Sequence, residues 1–329
     1  MSTPPLHHWS ELAGLPWRPL SGGLINNTWV VGVPPVAVVQ ELNPIFPPRV
    51  NEDIEAVTAH VASRGMCTPR LLTTVGGELC SGRWRALSFV PGQTFDKLSE
   101  PRVAAAAGAL VARWHRATSD LEHDFAFSRP LAHHTPHHMT VLESALDEHR
   151  THRLRGDVAG LAEGILGGWR SWQGDLDEPT RVAHGDLKVS NLRFDEEGGG
   201  VCLLDLDTMG QLPLSVELGD AWRSWCNPAA EDVLDAQFSL PLFEASARAY
   251  LDVHPLSAEQ RERLPAGIER ICLELAARFA ADALNETYFG WSAEVAPTRG
   301  EHNLLRARGQ LSLARSVRRE RASIDSLIA

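Results

Sequence analysis

A chain of 329 residues is long enough for a large core or for two lobes, and 43% hydrophobic with 22% charged residues is an ordinary globular composition. The formal net charge of −11 argues against a nucleic-acid-binding surface, which rewards clustered Lys and Arg, while leaving room for a local basic pocket that takes ATP. The five cysteines (Cys67, Cys80, Cys202, Cys226, Cys272) form no Cys-x-x-Cys pair, so they read as free thiols of a reducing, cytoplasmic environment rather than as a zinc site or disulfide framework. Met1 to Pro5 shows no basic region followed by an apolar stretch, and no apolar run reaches membrane-spanning length; neither a leader peptide nor a membrane partner is expected.

Residues 1–91 read as a β-rich lobe. Ser21 to Asn27 is a small-residue loop containing Gly22, Gly23, Asn26 and Asn27, followed by a strand over Thr28–Val31 and a second over Val36–Gln40. Such an arrangement can lay backbone N–H groups over a polyphosphate, because glycine permits close approach; an ordinary hairpin turn is the competing reading. Helical spacing of Ile54, Val57 and Val61 predicts a helix over 51–63. The acids near its start, Glu52, Asp53 and Glu55, read as solvated surface, or else one of them partners the phosphate-binding strand. A strand over Arg85–Val90 ends at Pro91-Gly92, so Phe89 stands beside a hinge where adenine can meet the backbone.

Residues 92–329 read as mainly helical. Ser99 is a candidate N-cap, with Pro101 in the first turn and Val103, Ala107, Leu110, Val111 and Trp114 on one apolar face. The run from His133 to His138 lacks an accompanying carboxylate or cysteine pattern and reads as a loop before a metal site. Helices are predicted over 139–149 and 157–169.

Then comes the segment with the densest chemistry, His184-Gly185-Asp186-Leu187-Lys188-Val189-Ser190-Asn191. Leu192–Phe194 alternates as a half-buried strand does, Val201–Leu204 is a short apolar run, and the glycine-rich turn between them predicts an antiparallel hairpin. Asn191 and Asp205 then emerge at its open end, where two oxygen ligands for one hard cation must converge. Asp186 precedes Asn191 by five residues, the spacing of a kinase catalytic loop in which the Asp takes the hydroxyl proton and the Asn holds Mg²⁺.

Beyond the hairpin a helix is expected to open near Leu218, with Asp220 either its N-cap or an orienting partner of the catalytic loop. Ile268, Ile271, Cys272, Leu275 and Phe279 keep helical spacing, with Glu274 and Arg278 predicted as an exposed i,i+4 pair. A last helix over 303–316 carries Leu304, Leu311 and Leu313 and a basic face with Arg306, Arg308 and Arg315, either solvated or, at Arg306, reaching a ligand.

With these residues in view the chain resembles the aminoglycoside phosphotransferase and choline kinase superfamily, through His184-Gly185-Asp186, Asn191 and Asp205. Within it the chain is similar to the N-acetylhexosamine 1-kinases, through Gly23 to Thr28, Val39 to Asn43, Leu204 to Thr208, Leu273-Glu274, Arg278-Phe279 and His302 to Gln310. The resemblance implies an α+β, bilobal, protein-kinase-like fold, ATP and Mg²⁺ as cofactors, and transfer of the γ-phosphoryl group to a sugar C1 hydroxyl. By position it makes Asp186 the base or orienter, Asn191 and Asp205 the Mg²⁺ ligands, and Gly22, Gly23, Asn26, Asn27, Thr28, Gln40 and Phe89 the nucleotide contacts. It makes Asp207 an additional acidic contact to the metal site or the substrate, with Asp186 also facing the acceptor, and by motif position it sets His302, Asn303 and Arg306 at the acceptor pocket. Gln40 stands where the superfamily commonly has Lys or Arg, so its phosphate bond is neutral. Leu206-Asp207 stands where protein kinases have Phe-Gly, and no activation-loop signature follows, which points to a small-molecule acceptor rather than a protein. An aminoglycoside, choline or another hydroxyl metabolite is the alternative acceptor; an inactive nucleotide-binding regulator is the alternative from another class.

Overall fold

The computed structural model describes residues 3–20, 25–129, 131–229 and 231–329. A five-stranded antiparallel sheet is built from β1 (Trp17–Pro19), β2 (Asn27–Val31), β3 (Ala37–Glu41), β4 (Leu71–Leu72) and β5 (Trp84–Ser88), in the order β1-β2-β3-β5-β4. One face, with Val31, Ala37, Val39 and Ala86, packs on Leu6, Trp9 and Leu12. The other faces α1 (Val50–Ser63), whose Ile54, Val57 and Val61 join Leu71 and Leu87. Side chains alternate along a strand, so Gln40 and Arg85, which are register partners, lie on the α1 side.

The acids of α1 divide. Glu52 pairs with Arg49 at the surface, as expected of a solvated acid. Asp53 is a correction: it is buried and accepts from His123 Nε2 at 2.8 Å and from the Ala126 and Phe127 amides at 2.8 and 3.0 Å. Glu55 bonds Arg70.

The helical part begins with α2 (Pro101–Ala117), preceded by Glu100 rather than by the expected cap Ser99, and buries the predicted apolar face. It continues with α3 (Thr135–Glu148) and α4 (Arg155–Arg170), both starting earlier than their apolar spacing indicated. A two-stranded ribbon pairs β6 (Thr180–Ala183) with β9 (Gly210–Pro213), and between them lies the hairpin of β7 (Leu192–Phe194) and β8 (Gly200–Leu203). Then follow α5 (Leu214–Trp225), α6 (Leu240–Val253), α7 (Ala258–Asn285), α8 (Arg299–Arg319) and α9 (Arg321–Ile328). Helix α7 starts at a capping box of Ser257 and Gln260 and is buried along most of its length, against α3, α4, α5 and α8. It crosses α5 at two glycines: a Cβ on Gly267 would sit 2.1 Å from the Ser215 carbonyl oxygen, and one on Gly219 would sit 2.7 Å from Gly267. Only glycine admits that approach, and it sets the position of α5.

Burial of Glu274 inside α7 corrects the expected exposed pair with Arg278. Glu274 is wholly buried, and its distance to Arg278 Nη1 is 4.0 Å. The sheet and the helical part meet at a backbone bridge in which the Gln93 and Phe194 amides each donate to the other's carbonyl, at 2.8 and 2.9 Å. No helix among the described residues is long and apolar enough to cross a membrane.

Candidate active site

Strand β6 ends at the buried His184, whose ring is fixed from both nitrogens: Nε2 lies 2.8 Å from the Leu204 carbonyl oxygen, and Nδ1 accepts the Asp186 amide at 3.3 Å. The tautomer protonated on Nε2 satisfies both bonds. Gly185 has φ +79°, and a Cβ there would lie 2.3 Å from the Thr208 carbonyl oxygen, so the turn is closed to other residues.

Helix α5 holds the loop by its backbone. Glu217 accepts the His184 amide at 2.7 Å and the Gly185 amide at 3.1 Å, while Asp220 accepts the Leu187 amide at 3.1 Å. Ser224 Oγ accepts the Val189 amide, and Trp225 Nε1 donates to the Leu187 carbonyl. Asp220 therefore lies inside the helix, which starts at Leu214 rather than near Leu218. It orients the loop and does not cap the helix. Glu217 and Asp220 are both buried, and each satisfies amides that would otherwise be unpaired in a low-dielectric interior.

On this frame Asp186 Oδ2 accepts from Lys188 Nζ at 2.7 Å and from Asn191 Nδ2 at 3.0 Å. Burial opposes charge on Asp186, but Lys188 outweighs it and keeps the carboxyl below its ordinary value. Nδ2 of Asn191 also donates to the Asp186 carbonyl, which turns Oδ1, a hard oxygen, away from Asp186. The Leu204 amide donates to the Asn191 carbonyl at 2.8 Å, so Asn191 and Asp205 leave the hairpin side by side, as its open end predicted.

Asp205 adopts a left-handed conformation, φ 61° and ψ 62°. Its carboxyl reaches solvent yet is crowded by protein, and this desolvation together with the charge of Asp207 raises its pKa. A divalent cation relieves that unfavourable negative charge. Oxygen donors at Asn191 and Asp205 thus fit the Mg²⁺ that the spacing implied.

The sheet supplies the opposite wall. Gly22 and Gly23 lie outside the described residues. Asn26 is buried: Nδ2 donates to Asp207 Oδ2 at 2.7 Å, and Oδ1 accepts the Asn43 amide. Asn27 is exposed and donates to Glu41, while Thr28 Oγ1 accepts from Gln40 Nε2 at 3.3 Å. Phe89 is half-buried, with the Arg193 guanidinium 5.5 Å from its ring centroid.

Two expectations change here. Asp207 does not face an acceptor; it is 1% exposed and is spent on Arg85 and Asn26. The cation missing at position 40 stands one strand over, because Arg85 bonds both Gln40 and Asp207.

Next to the loop, His133 Nδ1 lies 3.0 Å from Glu274 Oε1, and its Nε2 lies 3.5 Å from the carbonyl oxygen of Gly185. His134 accepts the His137 amide at the start of α3, and His138 meets the Ala132 carbonyl, so the histidine run serves separate partners. Asn303 and Arg306 also bond protein groups. Asn303 Nδ2 donates to Asp282, and Arg306 donates to Asp232 and to the Gly290 carbonyl. They brace the segment after α7, where Asp282 also gathers the amides of Thr287, Tyr288 and Phe289.

The His133–Glu274 pair carries a pH signature. Burial alone would raise Glu274, but the bond and charge of His133 hold it at about 2. Burial likewise opposes charge on His133, and Glu274 overrides it, lifting the histidine above its ordinary 6.5. The Glu274 contribution to stability is present above about 4.5 and lost as pH falls towards about 2. The His133 contribution is full below 6.5 and lost as pH rises through its raised value. Urea unfolding across pH should show Glu274→Gln abolishing both slopes and costing on the order of 3 kcal/mol near pH 6.

Three contributors escaped the sequence reading. Lys188 was legible as a cation two residues beyond Asp186. Arg85 had a fainter signal, a charge between Trp84 and Ala86 in a largely apolar strand. Glu217 had none, since acids in a first helical turn are common.

A small sheet over a helical body, with an Asp–Lys–Asn loop and a hairpin Asp between them, defines a phosphotransferase of kinase-like fold. The model of the phosphotransferase enzyme family matches residues 16–256, and the chain belongs to that family. Among curated proteins it is similar to a homoserine kinase of Rhodopseudomonas palustris (strain BisB5), 27% identical over 232 residues, which cover 69% of this chain and 64% of that protein. The match thus spans a little under two thirds of the relative's length. Among solved structures it is similar to a microcompartment-associated aminopropanol kinase, with TM-score 0.63, 16% identity, and 97% and 96% of the two chains covered. An amicoumacin kinase in complex with AMP-PNP and Ca²⁺ gives TM-score 0.60 at 12% identity, covering 93% and 90%. These structural likenesses establish the bilobal kinase fold.

Proposed function

We propose that the chain is an ATP- and Mg²⁺-dependent kinase that phosphorylates a small-molecule hydroxyl, specifically the C1 hydroxyl of an N-acetylhexosamine or related sugar. The observation that carries the reading is Asp186 held by Lys188 and Asn191 beside Asp205, on a loop whose backbone α5 fixes.

Asp186, kept ionised by Lys188, accepts the proton of the acceptor hydroxyl and orients its oxygen. Lys188 Nζ, at 2.7 Å from Asp186 Oδ2, offers its remaining N–H groups to the transferring phosphoryl oxygens. Asn191 Oδ1 and Asp205 would hold Mg²⁺, which would neutralise phosphate charge. Gln40 and the loop before β2 take the nucleotide, and the small sheet of residues 1–91 closes over it. Helix α5 keeps these groups in register, so the residues contribute chiefly positioning and electrostatics.

The sugar rests on the resemblance carried by the motifs from His302 to Gln310, of which Asn303 and Arg306 brace Asp282 and the Gly290 carbonyl. The second reading is an amino alcohol or hydroxy amino acid as acceptor, favoured by the aminopropanol kinase and homoserine kinase likenesses. A screen for acceptor-dependent ADP release should cover N-acetylhexosamines, aminopropanol, homoserine, choline and aminoglycosides. Turnover of an N-acetylhexosamine, stopped by Asp186→Asn, is expected. Turnover confined to an amine substrate selects the second reading, and no acceptor-dependent ADP release from folded protein overturns the kinase assignment.

A further inference from the structure

Arg85 is 1% exposed, and its guanidinium is used to the last hydrogen. Nε and Nη2 donate to Gln40 Oε1 at 2.9 and 2.7 Å. Nη2 donates at 2.9 Å to Asp207 Oδ2, and Nη1 donates to Asp207 Oδ1 and, at 3.4 Å, to Asn51 Oδ1. A guanidinium has five N–H donors, and five contacts occupy them. No hydrogen is left with which Arg85 itself could bind a phosphate.

The effect falls on Gln40. Its Oε1 is fully engaged by two charge-assisted bonds, so the amide has one orientation, with Nε2 as a donor. Nε2 carries two hydrogens, and its bond to Thr28 Oγ1 is long at 3.3 Å. Thr28 lies at the start of β2, directly after Asn26 and Asn27. A lysine at position 40 would instead set a second cation against Arg85, its register partner. The other end of the fork, Asp207, lies two residues beyond the candidate metal ligand Asp205, so one side chain links the nucleotide-facing sheet to the metal-binding turn.

We propose that Arg85 is a positioning residue for nucleotide binding. It locks the Gln40 amide with Nε2 towards the triphosphate and ties that donor to the Asp205–Asp207 turn. The inference rests on the kinase reading above.

Gln40→Glu separates this role from a structural one. The glutamate keeps oxygens for Arg85 but removes the N–H donor and aims negative charge at the phosphates. Affinity for a non-hydrolysable ATP analogue with Mg²⁺, measured by calorimetry, should fall about tenfold or more, with the melting temperature of the nucleotide-free protein unchanged or raised. Arg85→Lys keeps a charge for Asp207 but cannot span both partners, and should weaken binding about as much as Gln40→Ala. The double variant Arg85→Lys/Gln40→Ala should be no weaker than Gln40→Ala alone. ATP KM should rise more than kcat falls.

Unchanged analogue affinity in Gln40→Glu overturns the proposal, as do losses that simply add in the double variant. If Arg85→Lys does not fold, the Gln40→Glu comparison decides by itself. Failure of the unaltered protein to bind the analogue would instead remove the kinase reading on which the proposal stands.

Discussion

Asp186→Asn should lower kcat by about two to four orders of magnitude, the usual contribution of a positioned base, while leaving nucleotide affinity within a few-fold of the original. Asparagine has the same shape and can still accept from Lys188 and Asn191 through one oxygen, so the loop survives. What disappears is the carboxylate that takes the hydroxyl proton and the charge that Lys188 balances. Single-turnover phosphorylation and analogue calorimetry on the same sample separate the two quantities. A variant that kept more than about a tenth of wild-type kcat would exclude Asp186 as the base.

The second large effect lies behind the loop. Asp220→Ala should destabilise the protein by about 3–5 kcal/mol, because it leaves the buried Arg223 guanidinium short of its closest partner and the Leu187 amide without an acceptor. Arg223 retains only the half-exposed Glu231 at 3.2 Å. Denaturant unfolding reads the loss, and a cost below about 1 kcal/mol would show that Asp220 is not what anchors the loop. Combining Asp220→Ala with Arg223→Met should restore part of the stability but not the catalytic rate, since the charge is then gone and the Leu187 amide stays unpaired.

What could be seen in advance was what the chain keeps contiguous. The Asp186–Asn191 interval, the hairpin and Asp205 lie within 20 residues of sequence, and the turn residues between them dictate how they meet. The apolar face of α2 was equally plain, because a helix repeats its pattern. Glu274 was misplaced for a physical reason: an acid four residues from an arginine on a helix normally marks a solvated face. Its burial comes from the packing of α7, and the partner that balances it there, His133, lies 141 residues away. Arg85 and Asp207 are 122 residues apart, and nothing local to either announces the other. The tail residues Asn303 and Arg306 were found by motif, but motif position could not distinguish a ligand contact from a brace on Asp282 and Gly290.

The backbone at Asp205 carries one more consequence. A left-handed conformation disfavours most side chains, and the carboxylate there is also crowded by protein and by the charge of Asp207, which Lys188 only partly offsets. Before nucleotide and metal bind, both features count against stability. Asp205→Asn tolerates the same φ, sheds the repulsion and should melt higher than the natural chain when no nucleotide is present. With Mg²⁺ and ATP analogue added the ranking should invert, because only the natural residue converts its local discomfort into affinity.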